Sequence, residues 1–435
     1  MDNKLKQYAA AYKERAGQYL LTLVKWLVLS AICGGVCGLV GSAFHLSIEW
    51  ATGMRGRYPW LLYCLPLAGL LIVAVYKLTR TEGKGTNDII DEVHDGKGVP
   101  LLLLPAIFAG TFLTHLCGGS AGREGAALQM GGAVGYQAGR LLRFDDRDLR
   151  TATMAGMAAF FSALFGTPVA ATVFAMTVAS VGISYAANLL PSLLSAFLAY
   201  GVSCLFGIAP TRFAAEAPAV EAGMLLRVAV LGVLCALVSM LFCGCIHLGE
   251  HLLGGKLRNP WVRAVVGGLL VILLTFLCGS RDYNGAGMDV ITRAVEQGEA
   301  FPAAFLLKIL FTAVTLGAGF KGGEVVPSFF VGATFGCVAG SLLGIPAGFA
   351  AAVGLVAVFC GATNCPVASI LLAVELFGGG GVAYFAAGCA ASFFFSGYDG
   401  LYSSQKFPYS KLKARYLGTA YANQFHEEEG QAEKP

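Results

Sequence analysis

The sequence predicts an all-α polytopic membrane protein, built as an inverted repeat of many tilted helices that cross the bilayer only partly. Three observations predict this fold class. They are the composition, the lengths of the apolar segments, and a set of residues that recurs about 200 positions later in the chain.

The composition excludes a water-soluble domain. Of the 435 residues, 56% are hydrophobic and only 13% are charged, and the mean hydropathy is +0.68. An ordinary soluble domain is roughly a quarter charged. From Thr151 to Thr211 there is no Asp, Glu, Lys or Arg, which is enough chain for two or three crossings. The net charge of +4 is too small to indicate nucleic acid as a partner.

The apolar segments are uneven in length, and several fall short of the roughly 20 residues that a full crossing needs. Glycine-rich stretches interrupt them. Non-helical backbone at membrane depth is tolerated where it is buried in protein or lines a cavity, so these breaks indicate an internal binding site. The apolar segments are 17–47, 58–79, 99–117, 151–165, 168–181, 186–207, 222–248, 261–278, 301–316, 326–361 and 366–395.

The two halves of the chain share residues at a nearly constant offset. The segment around Glu124 recurs 200 positions later around Glu324, and the segment around Pro168 recurs 198 positions later around Pro366. Two such runs at nearly one offset are hard to obtain by chance. Repeats of this kind place the site at the interface between the halves. Inverted halves follow if the linking segments cross the membrane an odd number of times, which we favour.

The predicted organisation has four parts. Residues 1–16 form a cytoplasmic segment, 17–210 the first membrane repeat, 211–397 the second, and 398–435 a C-terminal helix with a short cytoplasmic tail. The N-terminus lacks the features of a signal peptide, so Leu20 to Val40 reads as the first membrane helix. Lys and Arg cluster near both ends, which predicts a multi-pass protein of the cell inner (plasma) membrane with both termini in the cytoplasm.

Two glycine-rich loops are candidate anion sites. Gly119–Gly125 precedes a helical run, and Gly317–Pro327 occupies the same place in the second half. Glycine lets the backbone turn sharply and expose its N–H groups, and a helix N-terminus adds unpaired donors and a positive dipole end. The alternative is that these glycines only allow tight helix packing. The presence of such a loop in both halves favours the anion site.

Glu124 and Glu324 lie in these loops. An intramembrane carboxylate is a functional hypothesis by default, because its charged form is costly there. At a helix N-terminus it competes with an anion for the same donors and leaves when protonated, which couples protons to anions. The alternative for each is a plain helix cap. Arg123 and Lys321 could balance these charges, and Lys308 in an apolar run needs a carbonyl or carboxylate partner.

Three motifs in this chain resemble the CLC family of anion channels and proton-coupled antiporters, over nearly the whole length. They are Gly122-Arg-Glu-Gly125, Lys308-x-x-x-Thr312-x-x-Thr315-Leu-Gly, and the Gly-Gly-x-x-x-Pro327 run. The resemblance implies a homodimer of two independent pores in the lipid bilayer, with no cofactor. It also implies that Glu124 is the gating, proton-coupling residue and that Tyr402 is an inner anion-binding residue. An interfacial aromatic is the alternative for Tyr402. The predicted anion-binding residues are Gly85, Thr86, Asn87, Gly122, Arg123, Gly125, Val325, Val326 and Tyr402.

The departures from the family pattern are informative. The loop Gly83-Lys-Gly-Thr-Asn-Asp88 lacks the chloride-binding serine of the family, and Thr177 and Val178 stand where exchangers carry an internal proton-transfer glutamate. Thr86 is the preferred anion-facing hydroxyl, with Lys84 at the serine position if the loop aligns without gaps. These changes, with the extra Glu324, resemble the fluoride-transporting branch. A protonated Glu324 or the Thr86 hydroxyl would donate a hydrogen bond to fluoride, a strong acceptor.

The resemblance therefore implies a fluoride/proton antiporter that expels cytoplasmic fluoride and confers fluoride resistance, with Glu324 handling a proton or the anion. A chloride/proton antiporter and a passive anion channel of the same fold are the alternatives. A membrane-embedded enzyme would need a nucleophile with a base, or a metal site. Only the short pattern His247, Glu250 and His251 favours that class, so we expect neither an enzyme nor a metal site.

Overall fold

Long apolar segments fold as helices in this chain, because lipid offers no hydrogen-bond partner to the backbone. In the computed structural model, residues 2–96, 98–182, 186–411 and 416–421 are described, and they form sixteen α-helices and one two-stranded sheet. The first half contains α1 (Asp2–Arg57), α2 (Leu65–Leu78), α3 (Thr86–Asp95), α4 (Leu103–Leu116), α5 (Glu124–Leu141), α6 (Asp146–Phe165), α7 (Pro168–Thr177) and α8 (Leu189–Leu205). The second half contains α9 (Ala222–Lys256), α10 (Pro260–Cys278), α11 (Met288–Thr292), α12 (Ala304–Gly317), α13 (Val325–Leu342), α14 (Ala347–Thr363), α15 (Pro366–Phe377) and α16 (Val382–Phe395).

Four short helical turns connect these helices: the 3₁₀ turns Pro59–Cys64, Ala186–Asn188 and Gly379–Gly381, and the π-helical turn Arg293–Gln297. Among the described residues, six helical segments are long and apolar enough to cross a membrane, namely Arg15–Arg57, Pro59–Leu78, Ala186–Leu205, Ala222–Lys256, Pro260–Cys278 and Val325–Leu342. Helices α4, α7, α12, α14 and α15 are apolar but shorter, at 10–17 residues, as is the segment Gly379–Phe395 that contains α16. The predicted all-helical fold with many partly spanning helices is therefore confirmed.

The two halves contain the same type of helix–helix contact, in which glycines of neighbouring helices meet. A Cβ atom on Gly156 of α6 would lie 2.1 Å from the carbonyl oxygen of Gly131 in α5, and a Cβ atom on Gly354 of α14 would lie 2.3 Å from that of Gly332 in α13. In both pairs the backbones touch, which only glycine allows. These contacts bury α6 and α14 along most of their lengths at the centre of the molecule.

The break that follows each central helix is also repeated. Helix α6 ends at Gly166 and α14 at Asn364, both in the left-handed conformation that stops a helix. Pro168 and Pro366 then open α7 and α15, because a proline in the first turn loses no intrahelical hydrogen bond. The four residues explain why 151–181 and the region after 347 each form two helices.

Two boundaries predicted from sequence were wrong. The first helix extends over Asp2–Arg57 rather than Leu20–Val40. The described residues beyond 397 form turns and an antiparallel ribbon instead of a helix, with β1 (Lys406–Tyr409) paired to β2 (Tyr416–Tyr421). Gly397 has φ +58°, and Pro408 supplies no backbone N–H, so this segment disfavours a helix. The tail at 422–435 lies outside the described residues.

Candidate anion and proton site

The two glycine-rich loops meet and hydrogen-bond to each other. Gly122 donates to the carbonyl of Gly323 at 2.7 Å, and Gly323 donates back to Gly122 at 2.8 Å. A Cβ atom on Gly122 would lie 2.5 Å from Glu124 Oε2, and one on Gly323 would lie 2.3 Å from the Gly125 nitrogen. The helix starts of α5 and α13 therefore face one small volume between the halves, as the repeat predicted.

Glu124 is fully buried at the start of α5. Its Oε2 accepts a hydrogen bond from the Arg123 backbone N–H at 2.8 Å, and its Oε1 lies 3.6 Å from Arg123 Nε. The backbone N–H of Val326, from the opposite loop, also interacts with this carboxylate. Oε1 accepts no hydrogen bond from any described group. The carboxylate thus uses helix-start donors that an anion would use.

Glu324 precedes α13 and faces across the interface. A Cβ atom on Gly125 would lie 3.0 Å from Glu324 Oε2. This buried oxygen has no hydrogen-bond partner within the described part of the chain, and the side chain makes no capping bond to its own helix. The plain-cap alternative for Glu324 therefore has no support in the geometry. Carboxylates from opposite halves approach the same place.

The Lys308 motif on α12 holds the first loop. Lys308 Nζ is buried and donates to the carbonyls of Gly285 at 2.6 Å and Tyr283 at 3.2 Å, which confirms the predicted carbonyl partners. Thr315 Oγ1 accepts from the Ser120 backbone N–H at 3.0 Å, and Thr312 Oγ1 shares a 3.0 Å hydrogen bond with Ser120 Oγ. The spacing of i, i+4 and i+7 places these three side chains on one helix face.

Tyr402 is buried, with 2% of its surface exposed, and its hydroxyl has no hydrogen-bond partner among the described residues. Glu324 and Glu124 are among its electrostatic neighbours. An interfacial aromatic would be exposed, so that alternative is wrong. Burial and an unpaired hydroxyl suit a donor that points into the site.

The segment that carries Tyr402 is fixed by Gln405, which the sequence did not indicate as a site residue. Gln405 is fully buried and donates to the carbonyls of Val178 and Thr363, each at 2.9 Å. These carbonyls end α7 and α14, and Asn364 Nδ2 adds a bond to Gln405 Oε1 at 3.1 Å. The available sequence signal for a role of Gln405 was that it is a polar residue between two turns.

The predicted first anion loop lies at the start of α3. Thr86 is buried, and its Oγ1 accepts from Gln129 Nε2 at 3.1 Å. Asn87 Oδ1 accepts from the Ser404 backbone N–H at 3.3 Å, which ties this loop to the Tyr402 segment. Sequence reasoning missed Gln129, although an amide among the small and apolar residues 125–135 was a visible signal.

Two neighbours in this loop have their polar groups engaged. The Gly85 backbone N–H donates to Asp88 Oδ2 at 2.9 Å, and Lys84 Nζ lies 2.5 Å from Asp88 Oδ1. The Gly85 N–H is therefore used by Asp88 of α3, and the Lys84 ammonium pairs with the same carboxylate. Thr86 remains the better candidate for a group that faces an anion.

A cavity of about 720 Å³ reaches Glu124 from the end of α1. Arg123, Glu124 and Val326 line it at the site, and His45, Glu49 and Arg55 line it on α1. Val325 is fully buried in the first turn of α13 and is absent from this lining. The cavity gives a small ion access to the Glu124 carboxylate from one side.

Known proteins share this architecture. A family model described as "Voltage gated chloride channel" matches residues 64–397. A protein of Pseudomonas syringae pv. tomato, named "Chloride/fluoride channel protein", is 37% identical over 399 residues, covering 89% of this chain and 88% of that protein. The "H(+)/Cl(-) exchange transporter ClcA" of Citrobacter koseri is 26% identical over 390 residues, covering 80% of each. The crystal structure of a CLC-type fluoride/proton antiporter superposes with a TM-score of 0.85 at 32% identity, covering 88% of this chain and 98% of that one.

Proposed function

The chain belongs to the voltage gated chloride channel family, and we propose that it is a proton-coupled antiporter that exports fluoride. The observation that carries the proposal is the approach of two carboxylates, Glu124 and Glu324, from opposite halves to one pair of helix starts. The similarity to a fluoride/proton antiporter and to a protein named for fluoride supports the same anion.

Glu124 has the role of gate in this proposal. Its carboxylate accepts from the N–H groups at the start of α5 and would yield them to fluoride after taking up a proton. Arg123 keeps a positive charge 3.6 Å away, which attracts the incoming anion. Because a charged carboxylate and a bound anion compete for the same donors, each fluoride that enters is linked to protonation.

Glu324 and Thr86 supply the preference for fluoride. A protonated Glu324 is a hydrogen-bond donor, and the Thr86 oxygen already accepts from Gln129, so its own hydrogen is free for another acceptor. Fluoride is small and strongly hydrated, so firm O–H donors compensate its dehydration better than apolar side chains do. The Tyr402 hydroxyl adds a third such donor.

We propose that the end of the protein that carries Tyr402 faces the cytoplasm. On that side Lys25 pairs with Asp148, and Lys406 lies 3.5 Å from Asp95. Basic residues also lie at or just after the C-terminal ends of α5 and α9, which the positive-inside rule expects of cytoplasmic ends. They are Arg140, Arg143, Arg147, Lys256 and Arg258. The cavity at Arg55 then opens to the outside.

We also propose a homodimer in the lipid bilayer with one pore in each chain. Both loops, both carboxylates and Tyr402 come from a single chain, so each protomer carries a complete site. The two halves are joined by Glu375 of α15, whose carboxylate accepts from the N–H groups of Val169 and Ala170 in α7.

The test is anion efflux from proteoliposomes that contain the purified protein, recorded for fluoride and chloride with and without a proton gradient. We expect faster fluoride than chloride efflux, with protons driven in the opposite direction. Equal or faster chloride efflux would indicate the chloride/proton antiporter instead. Anion efflux that moves no protons would indicate a passive channel.

A further inference from the structure

A polar pair near the end of α9 lies beside the site but has no part in it so far. His247 and Glu250 belong to the short pattern that sequence analysis connected with metal binding. In the structure, the His247 Nε2 atom lies 2.8 Å from the Gly400 carbonyl oxygen, and Nδ1 lies 4.0 Å from Glu250 Oε2. Gly400 is two residues before Tyr402, so the imidazole is packed against the segment that forms one wall of the site.

The pair leads from the protein surface toward Glu324. The Glu250 side chain is 56% exposed and the His247 side chain 43% exposed, and six residues after Glu250 the helix ends at Lys256, about 9 Å further along. Glu250 and His247 are both electrostatic neighbours of Glu324, although they lie on a different helix. The receiving oxygen, Glu324 Oε2, is buried and has no hydrogen-bond partner among the residues described.

The hydrogen-bond geometry fixes the direction of transfer through the imidazole. A backbone carbonyl only accepts, so in neutral His247 the proton is on Nε2, which leaves the Nδ1 lone pair facing Glu250. A proton passed from the Glu250 carboxyl group to Nδ1 gives an imidazolium. The Gly400 carbonyl accepts a hydrogen bond from Nε2 but cannot take the proton, so the ring turns away from Gly400 and gives the Nε2 proton to the Glu324 carboxylate, which leaves neutral His247. Histidine suits this step because its charge changes near neutral pH.

Other charged and titratable groups lie near the pair. Lys321 of the second loop has both Glu250 and Glu324 as electrostatic neighbours, and its ammonium lies 4.4 Å from the Tyr76 ring centroid. The groups that face this region from neighbouring elements are Lys321, Arg263, Asp88, Cys243, Asp399 and Tyr402. The two cations draw fluoride to the site from the side on which the histidine delivers protons.

We propose that Glu250 and His247 form a proton relay that delivers cytoplasmic protons to, or removes them from, Glu324. The relay rests on the proposed function, since it needs proton-coupled transport. His247 transfers the proton, and Glu250 exchanges it with water.

The variants His247→Gln and Glu250→Gln test the relay. Glutamine at 247 still donates to the Gly400 carbonyl but does not titrate, so the Tyr402 segment stays anchored. The matched control is His251→Gln, an exposed histidine four residues along the same helix. We expect proton-coupled fluoride turnover at neutral pH to fall at least about tenfold in both relay variants and to be unchanged in the control.

Two further readouts separate a relay from a structural role. Fluoride binding at equilibrium should be unchanged in both variants. Their turnover should rise steeply as the cytoplasmic-side pH falls, because direct delivery then depends on proton concentration. Wild-type turnover with a wild-type pH profile, or a loss of turnover that comes with lost fluoride binding, would overturn the relay. If wild-type protein itself moves no protons against an anion gradient, the proposed function fails instead.

Discussion

The contact between the two glycine-rich loops can be disrupted by one methyl group. In Gly323→Ala, the new Cβ atom would lie 2.3 Å from the Gly125 nitrogen and 3.0 Å from the Glu124 nitrogen, whereas ordinary contacts begin at 3.4 Å. These nitrogens belong to the start of α5. The loops must therefore separate by about 1 Å, because both sides of the contact are backbone and neither can rotate away.

The expected cost follows from the bonds that this separation lengthens. The reciprocal Gly122–Gly323 hydrogen bonds of 2.7 and 2.8 Å would both exceed the usual limit for a hydrogen bond. Two net hydrogen bonds contribute about 1 kcal/mol each, and overpacking adds typically 1–3 kcal/mol. We expect a loss of about 3–5 kcal/mol in the free energy of unfolding. Fluoride transport should be lost as well, because the donors of α5 and α13 no longer face one volume.

The measurements are thermal unfolding of the purified protein in detergent and fluoride efflux from proteoliposomes. Gly201→Ala is the matched control, since a Cβ atom at this helical position meets nothing within 4 Å. It should unfold and transport as wild type does, or be slightly more stable because alanine favours a helix. Wild-type efflux at wild-type stability in Gly323→Ala would refute the close contact of the loops and the site built on it.

Three further predictions concern the polar side chains of the site. Glu124→Gln mimics the protonated gate and should abolish proton coupling, so uphill proton movement driven by a fluoride gradient in this variant would rule out the assignment. Glu324→Gln should keep some fluoride binding but lose turnover, and Glu324→Ala should lose fluoride binding and turnover alike. Wild-type transport in the two variants would show that Glu324 has only a structural role. Gln129→Met keeps the volume but removes the donor to Thr86. Because one net hydrogen bond is worth about 1 kcal/mol, fluoride binding measured by calorimetry should weaken roughly five- to tenfold, and unchanged affinity would exclude Thr86 as an oriented donor.

The fold could be predicted from sequence because lipid simplifies the physics. Apolar segments in a bilayer have to satisfy their backbone internally, so composition alone predicts helices. The recurrence of Glu124 as Glu324 and of Pro168 as Pro366 predicted the two halves and the site between them. The same reasoning failed after Gly397, because the described residues there are packed against protein and hydrogen-bond to the ends of other helices, so lipid does not force them into a helix.

The candidate site was predictable where glycine and charge carry the signal, and less so where amides do. Glu124 and Glu324 are unusual at membrane depth, so their presence alone indicated function. Gln129 and Gln405 act through hydrogen bonds to Thr86 and to helix-end carbonyls that are distant in sequence. No local pattern encodes such partners, because they depend on the packing of α3, α7 and α14.

The inverted repeat itself explains how proton and anion become linked. Neither loop alone can form the site, since each supplies one helix start and one carboxylate, and Gly122 and Gly323 join them. Each carboxylate is costly to keep charged at membrane depth, and the positive helix ends offset only part of that cost. A fluoride ion brings a third negative charge to the same donors. It can stay only when Glu124 or Glu324 takes up a proton or turns away, so exchange of the two ions follows from the charge that this volume can hold.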